Sequence, residues 1–280
     1  MVADLFVKQG LKGSPLIVLL AIALISIPVT GCGTLKNSRG WGQDAICPVD
    51  LKRIPRAAYN ALFDLQTLIP AAGAAVFGAS NLDKKVSNWA SDHNPIFGSK
   101  DNADKASDYL LIPLYTETLL TTLVTPSGDD PKNWTYWKMK GITVEGLSLG
   151  ATLGVTALLK EATNRTRPDE SDDKSFPSSH SSNAFANATL SNRNLNAISL
   201  PKEARLPLQV GNIALATFTA WARVEAQKHY PSDVLAGAAL GHFLTAFILD
   251  AFLGLPEDMR FGIVIIPLKR GGKVEMSFNF

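Results

Sequence analysis

Apolar segments separated by polar loops are the feature that most constrains the fold of this chain. Within these segments apolar residues recur three and four positions apart, and alternating strand patterns are scarce before residue 261. This period is that of an α-helix with one apolar face. Six such segments predict helices over residues 57–77, 107–124, 143–164, 179–191, 206–227 and 233–252. We therefore expect an all-α bundle around one core, over residues 55–256.

Some of these segments approach the length that a bilayer requires. Residues 234–249 carry no charge but include His242, and residues 206–222 include Gln209 and Asn212. A spanning helix needs at least ~17 predominantly apolar residues, so each segment is marginal or is broken by a polar group. The chain is 46% hydrophobic and 19% charged, which is too charged for a chain made mostly of spans. Buried core helices are the favoured prediction, and membrane spans remain the alternative.

The end of the chain has a different pattern. Residues 261–266 and 274–280 are rich in β-branched and aromatic side chains and flank the turn residues Arg270-Gly271-Gly272. The sequence therefore predicts a small C-terminal β-hairpin over residues 257–280. We expect a ribbon packed on the helices, because one hairpin cannot close a transmembrane barrel.

The N-terminal segment has the pattern of a secretory signal. Lys8 and Lys12 precede a short uncharged apolar stretch that ends near Pro28 and small residues. An uncleaved membrane anchor is the alternative, but a spanning helix requires ~20 apolar residues. The pattern thus predicts a signal peptide over residues 1–31.

The last residues of this segment, Val-Thr-Gly-Cys at 29–32, resemble the bacterial lipobox, in which the cysteine is acylated and becomes the mature N-terminus. Acyl chains on Cys32 would hold the protein at a membrane. The Gly-, Asn- and Ser-rich residues that follow are typical of a tether, which we place at 32–54. Because Gly33 rather than Asp follows the cysteine, the resemblance implies a periplasm-facing protein of the cell envelope, in the outer membrane rather than the inner one.

Charge and cysteine content exclude several classes of function. The chain has 27 basic and 25 acidic side chains, a formal net charge of +2, which gives no electrostatic basis for binding nucleic acid. Two cysteines cannot form a disulfide scaffold, and no Cys/His spacing for zinc occurs. An enzyme is compatible with this composition, and the oligomeric state stays open.

The first cluster of candidate functional residues ends a predicted helix. Lys160 and Arg167 are seven positions apart, which is close to two helical turns, and Pro168 follows. Two cations on nearly one face could bind an anion, although a basic helix end is also a common structural feature.

The second cluster lies at a predicted helix start. Pro177, Ser178 and Ser179 precede His180, and free backbone N–H groups at a helix N-terminus form an anion site. His180 could donate a proton to a group bound there. The structural alternative is a helix cap beside an exposed histidine.

The third cluster joins two predicted helices. His229 and Asp233 are four positions apart, and Arg223 precedes them in the same segment. A carboxylate on one imidazole nitrogen leaves the other nitrogen free to attack, and a guanidinium suits phosphate oxygens. The structural alternative is a helix–loop–helix corner with an incidental His–Asp hydrogen bond.

These clusters together resemble the PAP2 family, the type 2 phosphatidic acid phosphatases that share a fold with vanadium haloperoxidases. Its signature reads Lys-x6-Arg-Pro, Pro-Ser-Gly-His and Ser-Arg-x5-His-x3-Asp. The chain departs from it at Ser179, where Gly is usual, and at Ala222, where Ser is usual. The resemblance implies a PAP2-like helical bundle.

The resemblance also implies roles for the catalytic side chains. His229 attacks phosphorus, and Asp233 orients it and stabilises a phosphohistidine. His180 protonates the leaving oxygen and then assists water in hydrolysing the intermediate.

The implied phosphate-binding residues are cationic or lie at the helix start. Lys160, Arg167 and Arg223 hold the phosphoryl oxygens together with N–H groups near Ser178 and Ser179. Because three cations surround the phosphoryl group, the resemblance implies neither a metal ion nor another cofactor.

Four functions remain open at this stage. The resemblance favours a membrane-tethered phosphatase acting on a phosphomonoester or pyrophosphate, with a lipid phosphate preferred as substrate. A broad-specificity periplasmic acid phosphatase for soluble esters is the second enzymatic hypothesis, and vanadate-dependent halide oxidation is the third. A structural envelope lipoprotein is the non-enzymatic alternative.

Overall fold

A computed structural model describes residues 33–45, 53–253, 261–267 and 272–278 of the chain. The predicted signal peptide, the lipidation site Cys32 and part of the predicted tether lie outside the described residues. Those assignments stay predictions.

The prediction of an all-α body is confirmed, since the described residues between 53 and 253 fold into nine α-helices and a closing π turn. In chain order these are α1 (Arg53–Leu62), α2 (Leu65–Gly78), α3 (Leu82–His93), α4 (Lys100–Tyr109), α5 (Leu111–Val124), α6 (Trp134–Thr163), α7 (Ser179–Ala197), α8 (Lys202–Glu225), α9 (Pro231–Ile248) and the π turn (Leu249–Leu253).

Several predicted boundaries were wrong. The helix predicted over 57–77 is two helices, because the Asp64 side chain accepts a hydrogen bond from the Gln66 N–H at 2.9 Å and caps α2. No apolar periodicity predicted α3 and α4, whose residues are mostly polar and carry no continuous apolar stripe. Both of these helices supply side chains to the catalytic end of the bundle.

Helix α6 differs from its prediction at both ends. It begins at Trp134 rather than at residue 143, and it ends at Thr163 because Asn164 adopts the left-handed conformation with φ 42°. Lys160 therefore lies on the last turn of α6, whereas Arg167 lies in the loop beyond it. The spacing of the two cations had suggested that they share a helix face. In the structure they do not.

Helix α7 is the centre of the bundle and packs against α5, α6, α8 and α9. Six of its eleven buried residues are Ala or Ser, so neighbouring helices approach closely. At Gly237 of α9 a Cβ would lie 2.6 Å from the Ser178 carbonyl oxygen. This glycine therefore lets the start of α9 lie directly against the start of α7, which brings the second and third motifs together.

The segment 33–45, predicted as part of a tether, packs at the end of the bundle opposite to the starts of α7 and α9. Trp41 is fully buried against Gly141 near the start of α6, and Gly33 forms an isolated β-bridge with Gly128. Composition alone indicated a loose linker here because Gly and Asn are frequent. The buried Trp41 ring and the hydrogen bond from the backbone N–H of Trp41 to the Pro126 carbonyl oxygen at 2.8 Å instead hold this segment against the helices.

Two short strands follow the helices. The backbone of β1 (Phe261–Pro267) pairs antiparallel with β2 (Gly272–Phe278), with Phe261 opposite Phe278. The predicted packing of this ribbon on the helices stays a prediction.

Two of the described helices are long and apolar enough to cross a membrane: α6, and α9 with its π turn. In the most apolar part of α9 and its π turn 61% of the residues are buried, whereas in α6 the share is 28%. The expectation of buried core helices therefore fits α9 better than α6.

Candidate active site

The three predicted clusters meet at one end of the bundle. The Ser178 N–H donates to the Asp233 carbonyl oxygen at 3.0 Å, which joins the second cluster to the third. Arg167 Nη1 donates to the carbonyl oxygen of Lys228 at 3.3 Å, directly before His229. Distant stretches of the chain thus form one pocket with two imidazoles and several cations.

His229 is the most enclosed of these side chains, at 2% exposure. Burial lowers its pKa to about 4, although the nearby Asp233 opposes the shift. Nδ1 lies 3.8 Å from Asp233 Oδ2, which is too long for a hydrogen bond, and it has no hydrogen-bond partner among the described residues. The imidazole is therefore held neutral, with Nδ1 towards Asp233 and Nε2 on the opposite side of the ring.

Asp233 is saturated by other donors. Its Oδ2 accepts hydrogen bonds from Ser175 Oγ at 2.5 Å and from the Tyr230 N–H at 2.8 Å. Its Oδ1 accepts one from Arg165 Nη1 at 2.6 Å. The carboxylate is thus fixed in place before any substrate binds, and a short bond to His229 would require a small movement of the ring.

Arg165 was not among the predicted site residues. Its second nitrogen, Nη2, donates to Asp83 Oδ2 at 2.7 Å, and the guanidinium stacks on the Tyr230 ring. Asp83 of α3 also accepts from the N–H and the hydroxyl of Ser232. A buried carboxylate from an unpredicted helix therefore anchors the loop that carries His229 and Asp233.

One nitrogen of the Arg223 guanidinium forms hydrogen bonds, and another has no partner among the described residues. Its Nη1 donates to Asp104 and, at 3.0 Å, to Ser107 Oγ, both on α4. Nε is buried and has no partner among the described residues. Burial lowers the pKa of the guanidinium from its ordinary value, with Asp104 opposing this. Arg223 Nε is therefore a buried donor that a bound anion could satisfy.

His180 lies in the first turn of α7. Its Nε2 is 2.8 Å from Asp108 Oδ1 of α4. Burial and the neighbouring Arg223 lower the pKa of His180 below its ordinary 6.5, while Asp108 and Asp104 act in the other direction.

Lys160 and Arg167 lie at the rim of the pocket and already have partners. Lys160 Nζ donates to the Lys174 carbonyl oxygen at 2.5 Å, and Arg167 Nε donates to Asp172 Oδ1 at 2.6 Å. Two aspartates of the acidic loop at 169–173 form ion pairs with nearby cations. Asp172 is one case, and Asp169, 2.6 Å from Lys228 Nζ, is another.

The two serines of the second cluster have different positions. Ser178 is buried, its N–H is taken by Asp233, and its hydroxyl accepts from the Ser181 N–H at 3.4 Å as the helix cap. The expectation that the Ser178 N–H binds phosphate is not met in this arrangement. Ser179 is the first residue of α7, where backbone N–H groups lack partners within the helix.

These side chains suit nucleophilic transfer of an anionic group. A neutral imidazole can attack, a second imidazole can carry a proton, and guanidinium and ammonium groups can stabilise charge on equatorial oxygens. The arrangement is thus chemically suited to an anionic substrate.

Comparison with known proteins agrees with this arrangement. Residues 143–254 match the PAP2 superfamily. This confirms the family resemblance for the part of the chain that carries the three motifs.

Two relatives extend the comparison. The chain is 34% identical over 103 residues to the lipid A 1-phosphatase of Porphyromonas gingivalis, covering 36% of this chain and 22% of the length of that protein. It is also similar to a crystal structure of a transmembrane PAP2 type phosphatidylglycerolphosphate phosphatase from Bacillus subtilis, at 22% identity and a TM-score of 0.50, over 70% of this chain and 94% of that one. The second likeness concerns the fold.

Besides Arg165, sequence reasoning missed three acidic residues that lie outside the matched segment. Asp83, Asp104 and Asp108 come from α3 and α4 and contact the motif residues. No motif marks them, and the spacing of Asp104 and Asp108 on one helix face is the only signal that could have suggested a shared target.

Proposed function

We propose that the protein is a phosphatase that hydrolyses a phosphate ester or pyrophosphate of a lipid through a phosphohistidine. The observation that carries the proposal is the pair of buried atoms without partners, Arg223 Nε and His229 Nδ1, in a pocket formed by all three motifs. A bound phosphoryl group would accept a hydrogen bond from Arg223 Nε. Phosphorylation of His229 Nε2 would make the ring cationic and so favour a hydrogen bond from Nδ1–H to Asp233.

Catalysis proceeds in two steps. The His229 lone pair forms the P–N bond while the P–O bond to the leaving group breaks, and His180 gives its proton to the departing oxygen. A water molecule then attacks phosphorus, loses its proton to His180, and releases phosphate and neutral His229. Arg223, Arg167 and Lys160 stabilise the negative charge on the equatorial oxygens in both steps.

Exposed apolar side chains support a lipid substrate. A soluble protein rarely shows many large apolar residues on neighbouring helices without a lipid or protein partner. Here they occur on the outer faces of α2, α5, α6 and α8. The set is Ile69, Val76, Ile112, Leu119, Leu123, Leu147, Leu153, Leu158, Val210 and Phe218. This surface would place the bundle in a bilayer, where phosphorylated lipids are close to the protein and available as substrates.

The two relatives are named for phosphorylated lipids, lipid A and phosphatidylglycerol phosphate. The chain spans about a fifth of the first relative, so its whole activity is not carried over. The second candidate function is a broad-specificity phosphatase for soluble esters, which the rim position of Lys160 and Arg167 would also permit.

Phosphate release from phosphatidic acid, undecaprenyl pyrophosphate and p-nitrophenyl phosphate by the purified full chain separates these functions. A lipid phosphatase turns over at least one lipid with the higher kcat/KM, and an acid phosphatase prefers the soluble ester. Absence of turnover on all three substrates would contradict both functions.

The second part of the proposal is that the protein is anchored through Cys32. The position of Gly33 bears on how far such an anchor would be from the pocket. Gly33 lies beside Gly128, which accepts a hydrogen bond from Trp134 at the start of α6. Lys160 lies about 40 Å further along that helix. An acyl anchor and the pocket are therefore at opposite ends of the bundle, so the helices must cross the bilayer for both ends to contact lipid.

Mass spectrometry of the mature protein tests acylation at Cys32, with Cys47→Ser as the control. Extraction of membranes with carbonate tests the apolar surface separately. A Cys32→Ser variant that stays in the membrane indicates that the helices are embedded, and one that becomes fully soluble indicates that the acyl chains alone hold the protein.

A further inference from the structure

Helix α4 places two carboxylates on the catalytic histidine and arginine of the pocket. Asp104 and Asp108 are four residues apart and therefore share one face of the helix. Asp104 pairs with Arg223, and Asp108 Oδ1 lies 2.8 Å from His180 Nε2. The helix is outside the segment that matches the PAP2 superfamily.

We infer that Asp108 is a positioning residue for the general acid, holding His180 by Nε2 so that Nδ1 delivers the proton to the leaving oxygen. This inference rests on the proposed function, since it assigns a task within the same reaction. Nε2–H donates to the carboxylate in both protonation states of the ring, so only Nδ1 gains and loses the proton.

The exposure of the pair argues for a functional contact. The Asp108 side chain is 70% exposed, and exposed ion pairs contribute little to stability. The helix is held instead by Arg223, whose Nη1 bonds to Asp104 and Ser107. Removal of the Asp108 charge should therefore leave the fold intact.

The charges around His180 explain why such a partner is required. Arg223 of α8 disfavours the imidazolium, as does burial, and the pKa of His180 falls below 6.5. Asp108 and Asp104 of α4 favour the protonated ring. Loss of Asp108 leaves Arg223 opposed by Asp104 alone, so fewer molecules would carry the proton that the leaving group needs.

Leaving-group dependence provides a sharp test with the full-length protein. Asp108→Asn keeps an acceptor for Nε2 and removes the charge, and Asp101→Asn on the same helix, which pairs only with exposed Lys105, is the control. We expect Asp108→Asn to lose about tenfold or more on dihexanoyl phosphatidic acid, because general acid catalysis is worth ~10²–10⁴ for a poor leaving group. On p-nitrophenyl phosphate, whose anion leaves without a proton, the loss should be under about threefold.

The pH profile gives a second readout. The rate needs protonated His180, so it falls as pH rises through the pKa of that ring, and Asp108→Asn should move this alkaline limb to lower pH while Asp108→Glu partly restores it. Equal losses on both substrates with an unmoved alkaline limb would indicate a merely structural role and overturn the inference, as would full activity on both.

An NMR titration of the four histidines, assigned with His180→Asn, separates this inference from the proposed function. If the wild-type protein hydrolyses no phosphate ester, the proposed function fails, and the titration alone decides the role of Asp108. A lower His180 titration midpoint in Asp108→Asn than in Asp101→Asn supports the inference. An unchanged midpoint overturns it.

Discussion

The two halves of the bundle contribute opposite chemistry to one pocket. Helices α6 to α9 and their loops carry both imidazoles and the cations of the proposed site, whereas α3 and α4 contribute the carboxylates Asp83, Asp104 and Asp108. The groups that would touch substrate come from the half with motifs. The groups that hold them come from the half without motifs, so a motif search finds the chemistry and misses its support.

The largest difference between the halves should appear when the nucleophile is removed. His229→Ala should lower kcat by about 10⁴-fold or more, because no other group can form the P–N bond and the remaining residues only bind and polarise phosphate. Phosphate release by the purified variant measures this. His93→Ala is a matched control, since His93 bonds only to the Trp89 carbonyl oxygen of its own helix. Substantial activity of His229→Ala would remove the nucleophile assignment.

The two imidazoles should also produce two different limbs in the pH profile of activity. His229 must be neutral, so activity rises with pH through its pKa of about 4. His180 must be protonated, so activity falls as pH passes its pKa, which lies below 6.5. We expect a bell-shaped kcat/KM with its maximum between these values, and a loss of about tenfold per pH unit beyond each limb.

A profile of kcat/KM from pH 3 to pH 9 measures both limbs. The protein should stay folded over this range, which circular dichroism at each pH controls. A maximum above pH 8 would contradict the assignment of His180 as the acid.

The supporting half should contribute less to rate but more to stability. Asp83→Asn removes the charge that pairs with Arg165 Nη2 and with Ser232, and it thereby loosens the loop before α9. We expect a loss of roughly tenfold in kcat/KM and about 1–3 kcal/mol of stability, since Asp83 is buried but Arg165 is a third exposed.

Thermal unfolding and kcat/KM measure the two effects, with Asp92→Asn on the exposed side of the same helix as the control. If Asp83→Asn were as stable and active as wild type, Arg165, Ser175 and Tyr230 would position Asp233 without any contribution from Asp83.

Much of the active half was predictable because its residues are close in sequence and have restrictive backbone roles. His229, Asp233 and Arg223 lie on one helix–loop–helix corner, and Pro231 marks the helix start. The contact of 3.8 Å between His229 and Asp233 could not be predicted, because it depends on how Arg165 and Ser175 compete for the carboxylate.

The supporting half was not predictable for a physical reason. Helices α3 and α4 have few apolar residues, so periodicity indicates a loop. They fold because polar side chains satisfy tertiary partners, and Asp104 bonded to Arg223 is an example. Such pairs join residues more than 100 positions apart, and a single sequence carries no record of them.

The smallest effect should come from Glu225, a carboxylate of the half with motifs that holds a loop of the half without motifs. Glu225 of α8 accepts hydrogen bonds from the N–H groups of Ile96 and Phe97, just before α4, at 2.8 and 3.1 Å. Glu225→Gln keeps one acceptor and loses the other, so one backbone N–H is left unpaired at a cost of about 1–2 kcal/mol. Because Asp104 and Ser107 still bind Arg223, α4 should stay in place and kcat/KM should fall by less than about threefold.

Thermal unfolding should detect the change clearly, and Glu161→Gln, which removes only an exposed pair with Lys174, should leave both quantities unaltered. A large loss of activity in Glu225→Gln would mean that the position of α4 depends on this loop more than on its own contacts with the pocket.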